Sequence, residues 1–123
     1  MVEFALIGMV FFLMLFGTIE MGRLLWTNHE LANGTREGAR YAMVHGSEAT
    51  SPATVDQVRQ EVLDHSAGIQ DAKLDVDVPV GLGGEPGTTL VVTASYQFDF
   101  AVGIIPGLST IELNHQSEVI IQH

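Results

Sequence analysis

The feature that most constrains this chain is a run of sixteen uncharged, mostly apolar residues at positions 4–19. Glu3 precedes the run and Glu20 follows it. A membrane-spanning helix needs about 20 apolar residues, a length that is reached only if the helix continues through residues 24–26. We expect it to continue because Glu20 and Arg23 are three residues apart and can pair on one helical face. The tryptophan at position 26 suits a membrane interface.

The flanks of this run do not match a secretory signal peptide, which has a basic start and a small-residue cleavage site. The nearest cation is Arg23, on the C-terminal side, and cytoplasmic flanks usually carry the Lys and Arg residues. Two interpretations follow. Either the acidic remainder of the chain lies inside the cell, or a basic leader preceded residue 1 and has been removed. Glu3 is costly in hydrocarbon, so we expect it to have a specific partner; the alternative is that it lies among the lipid headgroups.

Composition excludes several functions. The 123 residues contain 15 Asp and Glu against 5 Lys and Arg, a formal charge of −10. A nucleic-acid partner is not expected, because phosphate binding needs a basic surface. The chain has no cysteine, which excludes disulfides, thiolate metal sites and a cysteine nucleophile.

Helical periodicity continues beyond the apolar run, and we predict one helix from about Val2 to about Val44. Such a helix is on the order of 65 Å long. Its first half is apolar on all sides and must be buried by lipid or by other chains. Its second half carries a narrow stripe that should pack on the rest of the chain, formed by Leu24, Ala32, Thr35, Ala39, Ala42 and Met43.

Gly34 and Gly38 form a G-x-x-x-G pair in this second half. Glycine costs about 1 kcal/mol relative to alanine in a helix interior. Either a second element approaches the helix closely at this pair, or the helix is slightly weakened there. The sequence leaves both interpretations open.

The remaining chain predicts a short helix and three strands. Ser51 followed by Pro52 indicates a helix start. Apolar residues at helical spacing mark one face of this helix, which we expect to end near Gly68; they are Val55, Val58, Val62 and Ile69. Alternating apolar residues then predict strands at 74–80, 90–100 and 111–121, separated by a turn at 81–87 and a loop at 102–109. Short connections favour an antiparallel meander.

No pattern in the chain predicts catalysis or a cofactor. Four acids could hold Ca²⁺, but two of them alternate onto the solvent face of a strand and no EF-hand spacing is present; they are Asp64, Asp71, Asp75 and Asp77. The five histidines, which include His123 at the end of the sequence, lack metal-ligand spacing. The glycines at 81–87 are not followed by the Lys-Ser/Thr of a phosphate-binding loop. We therefore expect neither an enzyme nor a metal site.

Three sequence blocks carry a resemblance to a known family. They are VEFAL at 2–6, FGTIEMGR at 16–23 and TREGARYA at 35–42. The chain resembles TadE-like pilins of the tight-adherence branch of the type IV pilus superfamily. Pilin-type subunits usually carry their acid at the fifth mature position, whereas Glu3 is third, so either two residues are missing from this numbering or the processing site differs.

The resemblance implies an α+β, type IV pilin-like fold: a long N-terminal apolar helix plus a short helix packed on a three-stranded antiparallel sheet. Residues 1–26 would form the transmembrane and filament-core half of the first helix, and residues 27–123 a globular head. It also implies that a prepilin peptidase removes a basic leader, that pilus assembly machinery handles the subunit, and that the chain polymerises from the inner membrane into an extracellular adhesive pilus.

We expect specific residues to carry this assembly. Glu3 would pair with the N-terminal amine of a neighbouring subunit, as a registry device more than a source of stability, while Glu20 and Arg23 would pair within or between helices. Filament-core packing would come from the large apolar side chains Phe4, Leu6, Phe11, Phe12, Leu13 and Phe16. The alternative function is a monomeric, single-pass membrane-anchored domain that acts in sensing or in secretion-machine assembly.

Overall fold

A long helix forms the spine of the molecule, and the other elements pack beside its second half. The computed structural model describes residues 1–101, 107 and 109–122. The elements follow in the order α1 (Val2–Val44), α2 (Val55–Asp64), a 3₁₀ turn (Asp71–Lys73), β1 (Leu74–Val80), β2 (Thr89–Asp99) and β3 (Thr110–Ile120). The predicted α+β, pilin-like arrangement of a long apolar helix, a short helix and three antiparallel strands is confirmed.

The two halves of α1 have different surroundings. None of residues 1–19 is buried. The first buried side chain of the helix is Glu20, and buried positions then recur at helical spacing to Ala42. The head therefore leaves the apolar half uncovered and covers one face of the second half.

The sheet is an antiparallel meander in the order β1-β2-β3. Its central strand alternates strictly, with five buried side chains on one face at Leu90, Val92, Ala94, Tyr96 and Phe98. Tyr96 lies opposite Leu74 of β1 and Leu113 of β3, which sets the register of all three strands. The register shifts between Asp77 and Val80, where Pro79 cannot donate a ladder hydrogen bond.

The core lies between the apolar face of the sheet and the two helices. Three members of the predicted stripe of α1, Thr35, Ala39 and Ala42, are buried, whereas Leu24, Ala32 and Met43 are only partly covered. The sequence prediction missed Leu31, which is fully buried. The stripe is displaced because two elements, the sheet and α2, pack on α1 from different sides.

The predicted bounds of the second helix were wrong at both ends. The helix begins at Val55, not at Pro52, because Thr54 forms a capping box: its hydroxyl accepts from the Gln57 amide N–H and its own N–H donates to the Gln57 side chain. The helix ends at Asp64, and Ile69 contacts the core from the following loop. A reciprocal cap satisfies two free N–H groups, which a proline start does not.

The glycine-rich residues 81–87 form the predicted turn between β1 and β2. Gly81, Gly83 and Gly87 have positive φ angles of 87°, 67° and 90°, which favour glycine over any residue with a β-carbon. The predicted loop at 102–109 lies outside the described residues apart from Gly107 and Ser109, and so does His123.

Candidate assembly surface

The apolar half of α1 presents large side chains that the head does not cover. Exposure ranges from 81% at Phe4 to 42% at Phe16, and Leu6, Phe11, Phe12 and Leu13 are exposed as well. Phe12 contacts Phe11 edge-on and stacks on Phe16, but neighbouring rings on one helix bury little area. Among the described residues, α1 is a helix long and apolar enough to cross a membrane. This apolar surface requires burial by lipid or by another chain, because its exposure to water is unfavourable.

Glu3 lies in the first turn of α1 and is exposed. No cation of the described residues lies within ion-pair distance of its carboxylate. A carboxylate in the first turn interacts favourably with the helix dipole. The expected partner of Glu3 in a neighbouring subunit stays a prediction, since a single chain contains only one copy of the site.

Glu20 is a buried carboxylate with only 5% of its surface exposed. Arg23 Nη1 donates to both of its oxygens, at 3.0 and 2.9 Å. The Ala101 N–H donates to Oε1 at 3.0 Å, and the Arg23 guanidinium lies 5.3 Å from the centre of the Phe98 ring. The Glu20–Arg23 ion pair therefore lies within α1. Its two side chains also contact the head, through the Ala101 N–H and the Phe98 ring at the end of β2.

Sequence reasoning did not place the two head residues, Phe98 and Ala101, beside this ion pair. The three-residue spacing indicates the Glu20–Arg23 pair, but Ala101 is 81 positions away from Glu20 and contributes only a main-chain group. No residue type at position 101 could signal that contact. The stacking position of Phe98 follows from its place on the buried face of β2, which the alternation does predict.

The G-x-x-x-G pair of α1 is the contact with α2. A β-carbon at Gly34 would meet Ser66 Oγ and, at 2.6 Å, the Val62 carbonyl oxygen. One at Gly38 would lie 2.6 Å from Val62 Cγ2 and 3.3 Å from the Val58 carbonyl oxygen. Of the two interpretations that the sequence left open, close approach by a second element is the one observed.

The four acids considered for Ca²⁺ do not converge on one site. Asp71 pairs with Arg59 at 2.6 Å, Asp64 accepts from the Gln60 amide, and Asp75 and Asp77 are exposed on β1. Within the described residues, no group of three His, Asp or Glu side chains is placed to hold a metal ion.

An ion pair links the 3₁₀ turn before β1 to the end of β2, near the Glu20 site. Lys73 Nζ lies 2.7 Å from Asp99 Oδ2, and the Thr110 hydroxyl donates to Asp99 Oδ1 at 3.0 Å. Hydrogen bonds from Lys73 and Thr110 lower the pKa of Asp99 below its usual value. The hydrogen bond to Asp99 raises the pKa of Lys73. Asp99 is two residues before Ala101, so the pair fixes the end of β2 next to α1.

Comparison with known proteins identifies the first 40 residues. The family model described as TadE-like protein matches residues 1–40, a segment that holds the apolar half, Glu20 and Arg23. Residues 1–40 therefore form a TadE-like segment. The match covers about a third of the chain, and no curated protein and no solved structure matches significantly.

The matched family gives the N-terminal segment a biological context. TadE-like proteins are associated with the Tad pilus, and the family is structural and non-enzymatic. The apolar helix and the family together fit a membrane-anchored or pilus-associated location. The matched segment ends inside the part of α1 that packs on α2 and the sheet, so the TadE-like helix is continuous with the head.

Proposed function

We propose that this TadE-like protein is a structural pilus subunit that polymerises through the apolar half of α1 into an extracellular, type IV-like filament used for surface adhesion. The observation that carries the proposal is that none of residues 1–19 is buried, on a helix whose second half packs one face against the head. Burying a large apolar side chain stabilises an assembly by about 1.5–3 kcal/mol. The large apolar side chains Phe4, Leu6, Phe11, Phe12, Leu13 and Phe16 therefore require burial by lipid or by sister subunits.

Before assembly the same surface is buried in the inner membrane, and in the filament sister helices replace the lipid. A prepilin peptidase removes a basic leader before the subunit assembles. Pilus assembly machinery then moves the subunit from bilayer to filament. The acidic head faces water and keeps filaments apart by like-charge repulsion. No cofactor or catalytic group takes part.

Glu3 sets the register between subunits. Its carboxylate pairs with the α-amine that leader removal leaves on a neighbouring subunit, inside a bundle of apolar helices. A charge buried without a partner costs several kcal/mol, so only the correct stagger between helices is stable. Glu20 and Arg23 bring no unpaired charge to the bundle, because each already has the other as a partner.

The test compares Glu3→Ala with Glu48→Ala, which removes an exposed acid at the opposite end of the head. Each variant is expressed in the native host, and its membrane level is compared with the amount in filaments sheared from the cells, by immunoblot and electron microscopy. We expect Glu3→Ala to keep its membrane level and lose most filaments, while Glu48→Ala keeps both.

Two results would count against the proposal. Filament yield unchanged in Glu3→Ala would show that the carboxylate does not set the register. Absence of the unaltered chain from sheared filaments, with a normal membrane level, would instead favour the monomeric membrane-anchored domain.

A further inference from the structure

The outer edge of β3 carries main-chain groups that the sheet leaves unpaired. β3 is an edge strand, since the strand order is β1-β2-β3. In an antiparallel ladder, every second residue exchanges both of its hydrogen bonds with the residue opposite. The Phe100 N–H donates to the Ser109 carbonyl oxygen and the Ile121 N–H to that of Thr88. The odd-numbered residues of β3 therefore point their main-chain groups toward β2.

The even-numbered residues of β3 point their N–H and C=O groups away from the sheet. Four of them lie in the middle of the strand and have exposed side chains: Glu112, Asn114, Gln116 and Glu118. Among the described residues, none of their main-chain groups has a hydrogen-bond partner. The register with β2 is uninterrupted from Thr110 to Ile120, and this segment contains no proline. Such an edge is a template for a further strand.

The opposite edge of the sheet, on β1, is protected. Since the even-numbered residues of β2 bond to β3, its odd-numbered ones bond to Asp75 and Asp77 of β1, and the outward groups of β1 belong to its even-numbered residues. The Leu74 carbonyl oxygen already accepts from Arg59 Nη2 at 3.1 Å. Pro79 has no N–H, and the register with β2 shifts beside it. Proteins commonly block sheet edges by such devices, and the described edge of β3 has none of them.

The charges around the β3 edge indicate which strand it can accept. Glu112 and Glu118 are six residues apart, about 20 Å along the strand, and no cation of the described residues lies within ion-pair distance of either. Asp75 and Asp77 are exposed on the same outer face of the sheet. Opposite charges across a strand pair are stabilising and like charges are destabilising. A strand with basic side chains opposite the two glutamates is therefore favoured, and an acidic strand is disfavoured.

A second copy of this chain does not suit the edge. β3 runs along α1, because His115 Nε2 lies 3.0 Å from Asn28 Oδ1 and the Gln122 N–H donates to the Met43 carbonyl oxygen. Two β3 strands paired antiparallel would hold their apolar halves at opposite ends of the dimer, where one bilayer cannot bury both. Paired parallel and in register, they would place each glutamate beside its own counterpart, which is destabilising.

We propose that the β3 edge from Glu112 to Glu118 binds an extended strand of a different polypeptide, one that carries a basic side chain opposite each glutamate. The added strand runs antiparallel to β3, and its main chain pairs with the outward N–H and C=O groups. In strand addition of this kind, main-chain hydrogen bonds supply affinity and alternate side chains supply specificity. This contact adds a partner to the proposed pilus subunit and does not depend on its polymerisation.

The test uses the full chain in detergent micelles and two synthetic peptides as probes. The first peptide, TKVTVTVKT, carries lysines with the same spacing as the two glutamates, and valines on the face that would lie beside the half-buried Leu113 side chain. The second, TEVTVTVET, has glutamates in place of the lysines. Fluorescence anisotropy of the labelled peptides measures binding, and amide hydrogen exchange of the protein locates it.

Three variants separate the main-chain contribution from the charge contribution. Gln116→Pro removes an outward N–H without breaking a hydrogen bond to β2, and proline is tolerated at such edge positions. Gln116→Thr keeps the N–H and is the matched control. The double variant Glu112→Gln with Glu118→Gln removes the charges and keeps the main chain. Circular dichroism checks that each variant retains its helix and strand content.

We expect the lysine peptide to bind about tenfold more tightly than the glutamate peptide, and to slow amide exchange at the four even-numbered residues. Gln116→Pro should weaken its binding by about tenfold, whereas Gln116→Thr should leave binding nearly unchanged. The double charge variant should weaken binding several-fold, and more at low salt than at high salt.

Three results would overturn the proposed strand contact. They are equal affinity for the two peptides, no saturable binding of the lysine peptide below about 1 mM, and an unchanged affinity in both Gln116→Pro and the double charge variant. Slow exchange of the outward amides in the free protein would also overturn it, because the edge would then already be covered. None of these measurements involves filaments, so such a failure would leave the proposed function to its own test with Glu3→Ala.

Discussion

Gly34 lets α1 approach α2 more closely than any larger residue would. Gly34→Ala would place a β-carbon against Ser66 Oγ and the Val62 carbonyl oxygen, and overpacking of this kind costs about 1–3 kcal/mol. Alanine recovers about 1 kcal/mol of helix propensity, so we expect a net loss of stability. The loss is measured by urea unfolding in detergent, followed by circular dichroism.

Gly22→Ala is the matched control for Gly34→Ala. Gly22 lies in the same helix, and outside the adjacent helical backbone no atom of the described residues lies within 4 Å of a β-carbon added there. The control variant should gain up to about 1 kcal/mol. If both variants raise the unfolding midpoint, the close approach of α2 is not a constraint on position 34.

The Lys73–Asp99 pair predicts a pH-dependent contribution to stability. The pKa of Asp99 is lowered in the folded state, so the stability it adds is present above the pKa of the unfolded chain and is lost as pH falls through the folded pKa. The pKa of Lys73 is raised, so its contribution is present below the unfolded pKa and is lost as pH rises through the folded pKa. The pair therefore stabilises the head across the neutral range.

We expect Asp99→Asn to lower the unfolding midpoint at pH 7, and the difference from the unaltered chain to shrink as the solution is acidified past the usual aspartate pKa of 3.8. Asp77→Asn removes an exposed carboxylate for which the described part of the chain supplies no ionic partner, and it should change little. A difference for Asp99→Asn that is equally large at pH 3 and pH 7 would contradict the assignment.

At the scale of elements, α2 depends on its capping box. Thr54→Ala removes the hydroxyl that accepts from the Gln57 N–H, and loss of such a cap costs about 0.5–2 kcal/mol. Thr50→Ala, at an exposed threonine in the preceding loop, is the control and should stay within about 0.5 kcal/mol of the unaltered chain. Thermal unfolding of the two variants measures the difference; equal midpoints would show that the cap does not stabilise α2.

The elements differ in how far their sequence determines them. The strands are predictable because period-two alternation follows directly from which face of the sheet is buried. The start of α2 was misplaced because Pro52 and Thr54 are both acceptable start signals, and only the side chain of Gln57 three residues on decides between them. The packing of α2 on α1 could not be predicted, since glycines at positions 34 and 38 indicate close approach by a second element but not which element it is.

The candidate assembly surface is also only partly predictable from the sequence. Exposure of the apolar half is indicated by composition, because residues 4–19 carry no charge on any face of the helix. The Glu20–Arg23 spacing indicates a pair. The Ala101 contact depends on the length of β2 relative to α1, a three-dimensional quantity that no local pattern encodes.

At the scale of the whole molecule, the question is where the head begins. The sequence predicts a boundary between residues 26 and 27, but head contacts with α1 start at Glu20 and include Leu24. A chain that begins at Ile19 keeps these contacts, and one that begins at Thr27 loses the acceptor for the Ala101 N–H and the packing of Leu24. We expect the shorter chain to be less stable by about 1–3 kcal/mol.

Both shortened chains should nevertheless fold and stay monomeric, because every buried apolar side chain of α1 lies at Leu31 or later in the helix. Neither retains the apolar surface that the proposed filament buries, so neither should polymerise. Sedimentation velocity measures the oligomeric state, and circular dichroism measures the mixed helix and strand content. If the Thr27 chain is unfolded while the Ile19 chain folds, the head begins at Glu20. If either chain forms filaments, the assembly surface lies on the head and the apolar half of α1 serves only as a membrane anchor.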